Sequence, residues 1–125
     1  MVLVVDDYED ARRALALYLD AKGYAVHTAP DGPDAILQLA TGLRPCCIIV
    51  DLAMPDMDGL ALAERLRVEH KFAQLPVVLY SGYPIRVSDQ ARADALGVRL
   101  HIVKASAPAT LLAALAEHCR ACECD

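Results

Sequence analysis

Residues 46–51 read CCIIVD, an apolar run that ends in a carboxylate, and the same pattern recurs through the chain. Three other apolar runs also end in a polar side chain: residues 2–7 (VLVVDD), residues 76–81 (PVVLYS) and residues 101–104 (HIVK). Continuous apolar runs of this kind are typical of parallel strands covered on both faces. Because the carboxyl ends of parallel strands lie along one edge of a sheet, we expect these polar side chains to lie together at that edge.

Helical patterns separate the apolar runs. Apolar residues recur at helical spacing in five segments, the fourth of which has a thin, Ala-based stripe, and one further strand is expected. The helical segments are residues 9–23, 34–42, 60–66, 85–96 and 106–119, and the further strand is residues 24–28. This alternation predicts an α/β, flavodoxin-like (βα)5 fold, a doubly wound parallel sheet with strand order 2-1-3-4-5. In that order the first and third strands are neighbours, so Asp6, Asp7 and Asp51 meet.

Composition bounds the class of protein. A chain of 125 residues with 56% hydrophobic and 23% charged residues fits one globular domain, of which residues 119–125 are expected to be a frayed tail. The net charge of −5 and the scattered basic residues argue against binding of nucleic acid. No apolar stretch approaches the roughly 20 residues that span a bilayer, and no signal peptide is recognisable, so a cytoplasmic location without membrane contact is expected.

The five cysteines indicate no metal clip. Cys119, Cys122 and Cys124 crowd together, but no fourth cysteine or histidine pair completes a zinc-finger spacing. Cys46 and Cys47 adjoin in a strand and are interpreted as small core residues.

The expected cluster of side chains suits phosphoryl chemistry. Three carboxylates held close together repel one another and stay ionised only with a cation among them, for which Mg²⁺ is the natural choice. An Asp side chain can attack a phosphoryl group, while a Lys and a hydroxyl bind its oxygens. The sequence therefore supplies a nucleophile, a metal site, a counter-charge and a hydrogen-bond donor, but it shows no general base.

These residues resemble a known family. Asp6-Asp7, residues 51–59 (DLAMPDMDG), Ser81-Gly82 and Lys104 are similar to the landmarks of the receiver domain of two-component response regulators, a domain also found at the end of hybrid histidine kinases. The resemblance covers the whole chain. It implies a domain that accepts a phosphoryl group from a sensor histidine kinase or a histidine phosphotransfer protein and switches contacts with an unknown output partner. It also implies that the domain is not an enzyme, since it promotes only its own phosphorylation and dephosphorylation.

The resemblance also implies a role for each site residue. Asp51 would be the phosphoacceptor, and Ser81 the switch hydroxyl. The phosphoryl group would be bound by Lys104, by Gly82 through its backbone N–H, and at the position of Ala53. Mg²⁺ would be held by Asp7 directly, by Asp6 largely through water, by Asp51 and by the backbone carbonyl of Ala53.

Two positions depart from the family pattern. Most receivers follow the Lys with a Pro, usually through a cis peptide, whereas this chain has Ala105. Because a cis bond before a residue other than Pro costs about 2.5–4 kcal/mol, we predict a trans bond there, with Lys104 still reaching Asp51. His101 stands where the family usually carries Tyr or Phe as a switch residue. It either takes that role or is a half-exposed strand residue without one.

Several alternatives remain open at this stage. Asp6 and Asp7 are also suited to capping the first helix. The main functional alternative is an interaction module of the same fold that works without phosphorylation. A phosphatase of the dehalogenase type would need a second Asp two residues after Asp51, where this chain has Ala53. A flavin-binding protein is disfavoured because residues 6–10 (DDYED) would repel an anionic cofactor.

Overall fold

The structure is a computed structural model that describes residues 1–82, 84–98, 100–104 and 108–118, with only the backbone described at Leu100 and His118. It contains a five-stranded parallel sheet with strand order β2-β1-β3-β4-β5, flanked by five helices, so the predicted fold is confirmed. The strands are β1 Val2–Val5, β2 Val26–Ala29, β3 Cys47–Val50, β4 Val77–Ser81 and β5 Leu100–Val103. The helices are α1 Glu9–Ala21, α2 Gly32–Ala40, α3 Gly59–Arg67, α4 Val87–Ala95 and α5 Pro108–His118, with a 3₁₀ turn at His70–Phe72 between α3 and β4.

Apolar side chains cover both faces of the sheet. Alternate residues of β1 and β3 divide between two clusters: Leu3 and Ile48 face α2, α3 and α4, whereas Val2 and Ile49 face α1 and α5. Every residue of β1 and β3 is buried, as expected of central strands covered on both sides. The two strands that carry the acidic residues are therefore the most firmly packed part of the sheet.

Element boundaries differ from the sequence prediction in explicable ways. Helix α2 begins at Gly32 rather than residue 34, because the Asp31 carboxylate accepts a hydrogen bond of 2.8 Å from the Asp34 N–H and so caps the helix earlier. Gly32 and Pro33, which precede the predicted start at residue 34, therefore already belong to the first helical turn. The 3₁₀ turn was not predicted. The expected trans bond after Lys104 and the expected frayed tail lie outside the described residues.

Helix α4 has the thinnest apolar face, and charge attaches it to α3. Only Asp89 and Ala93 of this helix are buried. Arg92 lies 3.2 Å from a carboxylate oxygen of Glu64 on α3 and 3.8 Å from one of Asp58, the N-cap of α3. Exposed ion pairs of this kind contribute little stability each. The weak apolar pattern in the sequence therefore corresponds to a weakly anchored helix.

Arginine side chains close the amino end of the sheet. The guanidinium of Arg67 donates hydrogen bonds to the backbone carbonyls of Leu96, Phe72 and Leu75 at 2.7, 3.2 and 2.9 Å. Arg44 donates to the Leu39 carbonyl at 2.9 Å. Carbonyls at helix ends have no partner further along the helix, so Arg44 adds hydrogen bonding in the connection before β3, and Arg67 does so in the connections before β4 and β5.

The two adjacent cysteines differ from each other. Cys47 is a fully buried free thiol, and burial raises its pKa to about 12, as expected of a core residue. Cys46 is half-buried and packs against the core cluster that contains Cys47, as predicted, but it is disulfide-bonded, which was not predicted. Among the described residues, no helix combines the length and the apolar character that crossing a bilayer requires.

Candidate functional site

Three carboxylates meet at the carboxyl edge of the sheet. Asp6 follows β1 and Asp51 follows β3, and these strands pair in register with Val5 opposite Val50. Together with Asp7, they place one carboxylate oxygen each within 4.8 Å of one another. Asp6 is buried, Asp51 is half-buried and Asp7 is exposed. The predicted convergence of these side chains agrees with the geometry.

The ammonium group of Lys104 lies between two of these carboxylates. Its Nζ is 3.0 Å from Asp6 Oδ2 and 3.2 Å from Asp51 Oδ2. The backbone helps to place it, because the Lys104 N–H donates a hydrogen bond of 2.6 Å to the Ser81 carbonyl at the end of β4. Lys104 therefore reaches Asp51, as expected, although Ala105 follows it in place of Pro.

Backbone N–H groups donate hydrogen bonds to the second carboxylate oxygen of Asp6 and of Asp51. Asp51 Oδ1 accepts a hydrogen bond of 3.1 Å from the Ala53 N–H, and Asp6 Oδ1 accepts one of 2.9 Å from the Tyr8 N–H. The N-cap position of α1 is occupied by Tyr8, without a side-chain cap. Asp6 and Asp7 therefore do not cap this helix, and helix capping does not explain their carboxylates.

Burial and charge oppose each other in the site. Burial raises the pKa of Asp51, opposed by the Ala53 N–H and by the charge of Lys104, while the Asp6 carboxylate adds to the rise. Burial disfavours the charge of Lys104, but its hydrogen bonds and its attraction to Asp6 and Asp51 outweigh this, so the pKa of Lys104 lies above its usual value. The Lys104 ammonium therefore stays charged, whereas burial and the neighbouring Asp6 carboxylate disfavour the charge of Asp51.

Ser81 and His101 contact each other next to the carboxylates. Ser81 ends β4 and is fully buried. Its Oγ lies 2.8 Å from Nε2 of His101, a half-buried residue of β5. Burial lowers the pKa of His101 and so favours the neutral ring. His101, which departs from the family pattern, is therefore hydrogen-bonded to Ser81, the predicted switch hydroxyl.

The loops that follow β3 and β4 frame the site. Ala53 and Gly82 are both exposed, so each is accessible from solvent beside Asp51 and Ser81 respectively. Gly59, the first residue of α3, packs against the backbone of Asp51, where a Cβ would lie 2.8 Å from the Asp51 carbonyl oxygen. Only glycine allows α3 to begin this close to the strand that carries Asp51.

Sequence reasoning missed two contacts of the site. The Tyr80 ring centre lies 5.8 Å from Lys104 Nζ, and the Arg12 guanidinium donates a hydrogen bond of 2.9 Å to the Asp6 backbone carbonyl. Tyr80 was detectable in principle, because strand alternation puts it on the face opposite to Ser81, towards α1 and α5. The bond from Arg12 carries no sequence signal, since it goes to a backbone atom.

The donor set fits a hard divalent cation. Clustered carboxylate oxygens with access to water are what Mg²⁺ takes as ligands, and Asp7 supplies the exposed, unshared carboxylate of the set. Lys104 compensates only part of the negative charge. The residues present therefore fit a magnesium ion.

A doubly wound parallel sheet with an acidic cluster and a lysine at its carboxyl edge defines the class of CheY-like α/β proteins. Residues 2–116 match the family model described as response regulator receiver domain. The chain belongs to that family.

Known relatives agree with this membership. The chain is 40% identical over 78 residues to the transcriptional regulatory protein SrrA of Staphylococcus aureus, a match that covers 62% of this chain but only 31% of that relative's length. Chemotaxis protein CheY4 of Vibrio cholerae superposes with a TM-score of 0.85 at 29% identity, covering 94% of this chain and 96% of that one. Response regulator TrrA of Thermotoga maritima, solved in complex with Mg²⁺-BeF, superposes with a TM-score of 0.81 at 28% identity, covering 93% and 96%.

Proposed function

We propose that Asp51 accepts a phosphoryl group from a phosphohistidine in a Mg²⁺-dependent reaction, and that the resulting charge changes the contacts of this domain with a partner. The observation that carries the proposal is the position of Lys104 Nζ, 3.2 Å from Asp51 Oδ2 at the acidic cluster. A carboxylate paired with one ammonium beside two further carboxylates suits a nucleophile that awaits a cation and a phosphoryl group.

The step forms one bond and breaks one bond. A carboxylate oxygen of Asp51 attacks phosphorus, the P–N bond of the donor breaks, and its electron pair stays on the histidine nitrogen. Asp6, Asp7, Asp51 and the Ala53 carbonyl would hold Mg²⁺, which neutralises charge on the transferring group. Lys104 binds a phosphoryl oxygen, and the N–H of Gly82 and the hydroxyl of Ser81 donate to others.

The donor is expected to approach between α1 and α5. A groove of about 280 Å³ there is lined by Ala14, Leu15, Tyr18 and Leu111 and reaches Lys104. An apolar groove that ends at the site suits a helical surface that carries the phosphohistidine. The partner is therefore a histidine kinase or histidine phosphotransfer protein, and the half-buried His101 on β5 is the residue through which the change at Ser81 reaches the output side.

The test is the mass of the intact protein after incubation with Mg²⁺ and acetyl phosphate. We expect one phosphate adduct that requires Mg²⁺ and is absent in Asp51→Asn. The matched control is Asp56→Asn, which removes the same charge nearby. Asp56 is exposed and has φ of 67°, a backbone conformation that Asn adopts readily, so this variant should still be phosphorylated. Absence of an adduct in the unmodified chain, or its persistence in Asp51→Asn, would contradict the proposal and favour a module that works without phosphorylation.

A further inference from the structure

The two cysteines among the described residues differ in bonding, and Cys46 is the one in a disulfide bond. It lies directly before β3, at the amino end of the sheet, and it is half-buried. Its N–H donates a hydrogen bond of 2.9 Å to the Met1 carbonyl, and its Sγ lies 3.1 Å from the same oxygen. The sulfur of Cys46 is therefore fixed at an edge of the sheet that solvent reaches.

The sequence leaves three candidate partners for this bond. The chain has five cysteines, and Cys47 is a fully buried free thiol. By elimination, the partner is one of the three cysteines that follow α5 in the sequence, which are Cys119, Cys122 and Cys124. These three lie outside the described residues, and they also lie beyond residues 2–116, which match the receiver domain. One end of the bond is therefore in the receiver domain, and the other is in a segment that the family match does not include.

Helix α5 runs towards Cys46 along one face of the sheet. Leu111 and Leu115 of this helix are buried in the apolar cluster against which Cys46 packs. The first residue of α5 lines the same groove as Lys104, at the carboxyl edge. A helix of this length spans about 16 Å, more than the roughly 13 Å of a four-residue strand, and crossover helices run antiparallel to the strands. The described part of α5 therefore ends at the amino edge, one residue before Cys119.

We propose that Cys46 and one of these cysteines form a reversible disulfide, through which small disulfides tie the end of α5 to the start of β3. The reaction is thiol–disulfide exchange with a compound such as glutathione disulfide. The Cys46 thiolate attacks one sulfur of this compound and releases one glutathione thiolate. The thiolate of the second cysteine then attacks the Cys46 sulfur, and the second glutathione leaves with the electron pair of the broken S–S bond. Two protein thiols are thus oxidised, and one glutathione disulfide becomes two glutathione molecules, which carry the two protons.

Accessibility distinguishes Cys46 from its neighbour. Exchange requires that a thiolate reaches the sulfur, and an exposed disulfide is more easily reduced than a buried one. Cys46 is half-buried, whereas Cys47 is fully buried and burial raises the pKa of its thiol to about 12. The two apolar clusters described above are built from residues that precede Cys119. Reduction therefore leaves the packed core in place and removes only the covalent tie.

Tryptic mass mapping of the full chain tests the pairing. The protein is equilibrated in reduced or oxidised glutathione, its free thiols are blocked with iodoacetamide, and it is then digested. Because trypsin does not cleave before Pro45, Cys46 lies in the peptide of residues 23–65, whereas the three later cysteines lie in residues 105–120 and 121–125. In oxidised glutathione we expect residues 23–65 to be joined to one of these two peptides, and in reduced glutathione we expect no joined product.

Two variants identify the cysteine that reacts. Cys46→Ser should lose the joined product, whereas the matched control Cys47→Ala should keep it, because the buried thiol of Cys47 takes no part. Thermal unfolding gives a second readout. A disulfide that closes a loop of about 75 residues restricts the unfolded chain, so the oxidised protein should unfold about 5–15 °C above the reduced one. Cys46→Ser should abolish this difference, and Cys47→Ala should retain it.

Three results would overturn the inference. The first is an oxidised protein in which residues 23–65 carry only a glutathione adduct or no modification. The second is a joined product that persists in Cys46→Ser. The third is a link that an excess of reduced glutathione leaves intact, because the bond would then be permanent. Asp51→Asn should form the same link as the unmodified chain, since the pairing does not involve the phosphoacceptor. Failure of the proposed function would therefore leave this inference standing.

Discussion

At the amino end of the sheet Arg67 donates hydrogen bonds to three backbone carbonyls, whereas at the carboxyl end Lys104 lies between two carboxylates. At the amino end, the Arg67 guanidinium completes the hydrogen bonding of backbone carbonyls. At the carboxyl end, one ammonium meets a cluster of three carboxylates and leaves negative charge uncompensated. At one end of the sheet the charged group completes backbone hydrogen bonds, and at the other it leaves the negative charge that the proposed Mg²⁺ and phosphoryl group would use.

The largest effect on stability is expected at the amino end. Arg67→Met removes three hydrogen bonds to the carbonyls of Leu96, Phe72 and Leu75, of which only the one of Phe72 keeps a backbone donor among the described residues, and we expect the free energy of unfolding to fall by about 2–4 kcal/mol. Urea unfolding measures this. Phosphorylation of the folded fraction by acetyl phosphate should be unchanged. Arg65→Met, on the exposed side of the same helix, is the matched control and should change stability by less than about 0.5 kcal/mol. Equal free energies of unfolding for the two variants would show that the hydrogen bonds of Arg67 do not stabilise the amino end of the sheet.

A smaller effect is expected where the carboxyl end is tightly packed. Gly59→Ala places a Cβ 2.8 Å from the Asp51 carbonyl oxygen and 3.1 Å from Leu79 Cδ2. Because backbone must shift to accommodate it, we expect a loss of about 1–3 kcal/mol in the free energy of unfolding, measured in urea. The control is Gly82→Ala, since a Cβ at Gly82 would meet no atom of the described residues within 4 Å. If Gly59→Ala unfolds at the same urea concentration as the unmodified chain, α3 does not hold Asp51 in place.

The smallest expected effect on the free energy of unfolding is that of Mg²⁺ binding. At a Mg²⁺ concentration ten times its Kd, binding to the folded state alone stabilises the protein by about 1.4 kcal/mol. Asp7→Asn should abolish this gain, while it changes the stability of the metal-free protein little, because Asp7 is exposed. Thermal unfolding with and without Mg²⁺ measures both quantities. Equal stabilisation of the variant would show that the ion binds elsewhere.

The central features could be predicted from the sequence because they follow from simple periodicities. The alternation of strands and helices predicted the strand order. The apolar runs that end in polar residues predicted that Asp6, Asp7 and Asp51 meet, since parallel strands share one carboxyl edge. The direct bond of His101 to Ser81 could not be predicted, because it depends on side-chain rotamers across two strands. The three bonds of Arg67 were equally hidden, since their acceptors are backbone carbonyls that any residue provides.

Helix α4 gives a weak signal in the sequence for a physical reason, although its predicted bounds lie within two residues of the observed ones. Residues 85–96 were expected to be helical, whereas the helix extends over Val87–Ala95 and buries only Asp89 and Ala93. Its attachment depends on Arg92 and the carboxylates of Asp58 and Glu64, which are distant in sequence. Apolar periodicity locates a helix by its buried face, so a helix that buries only two residues gives a weak signal.

The separation of Asp6 and Lys104 by 98 residues has a consequence for synthesis. A nascent chain emerging from the ribosome carries its first carboxylate early, but the ammonium that contacts this carboxylate is translated almost a hundred codons later. Until then the acidic residues repel one another, and any product of premature termination before β5 keeps the carboxylates without the lysine. The charge arrangement of the proposed phosphoacceptor site is therefore complete only when Lys104 has been translated.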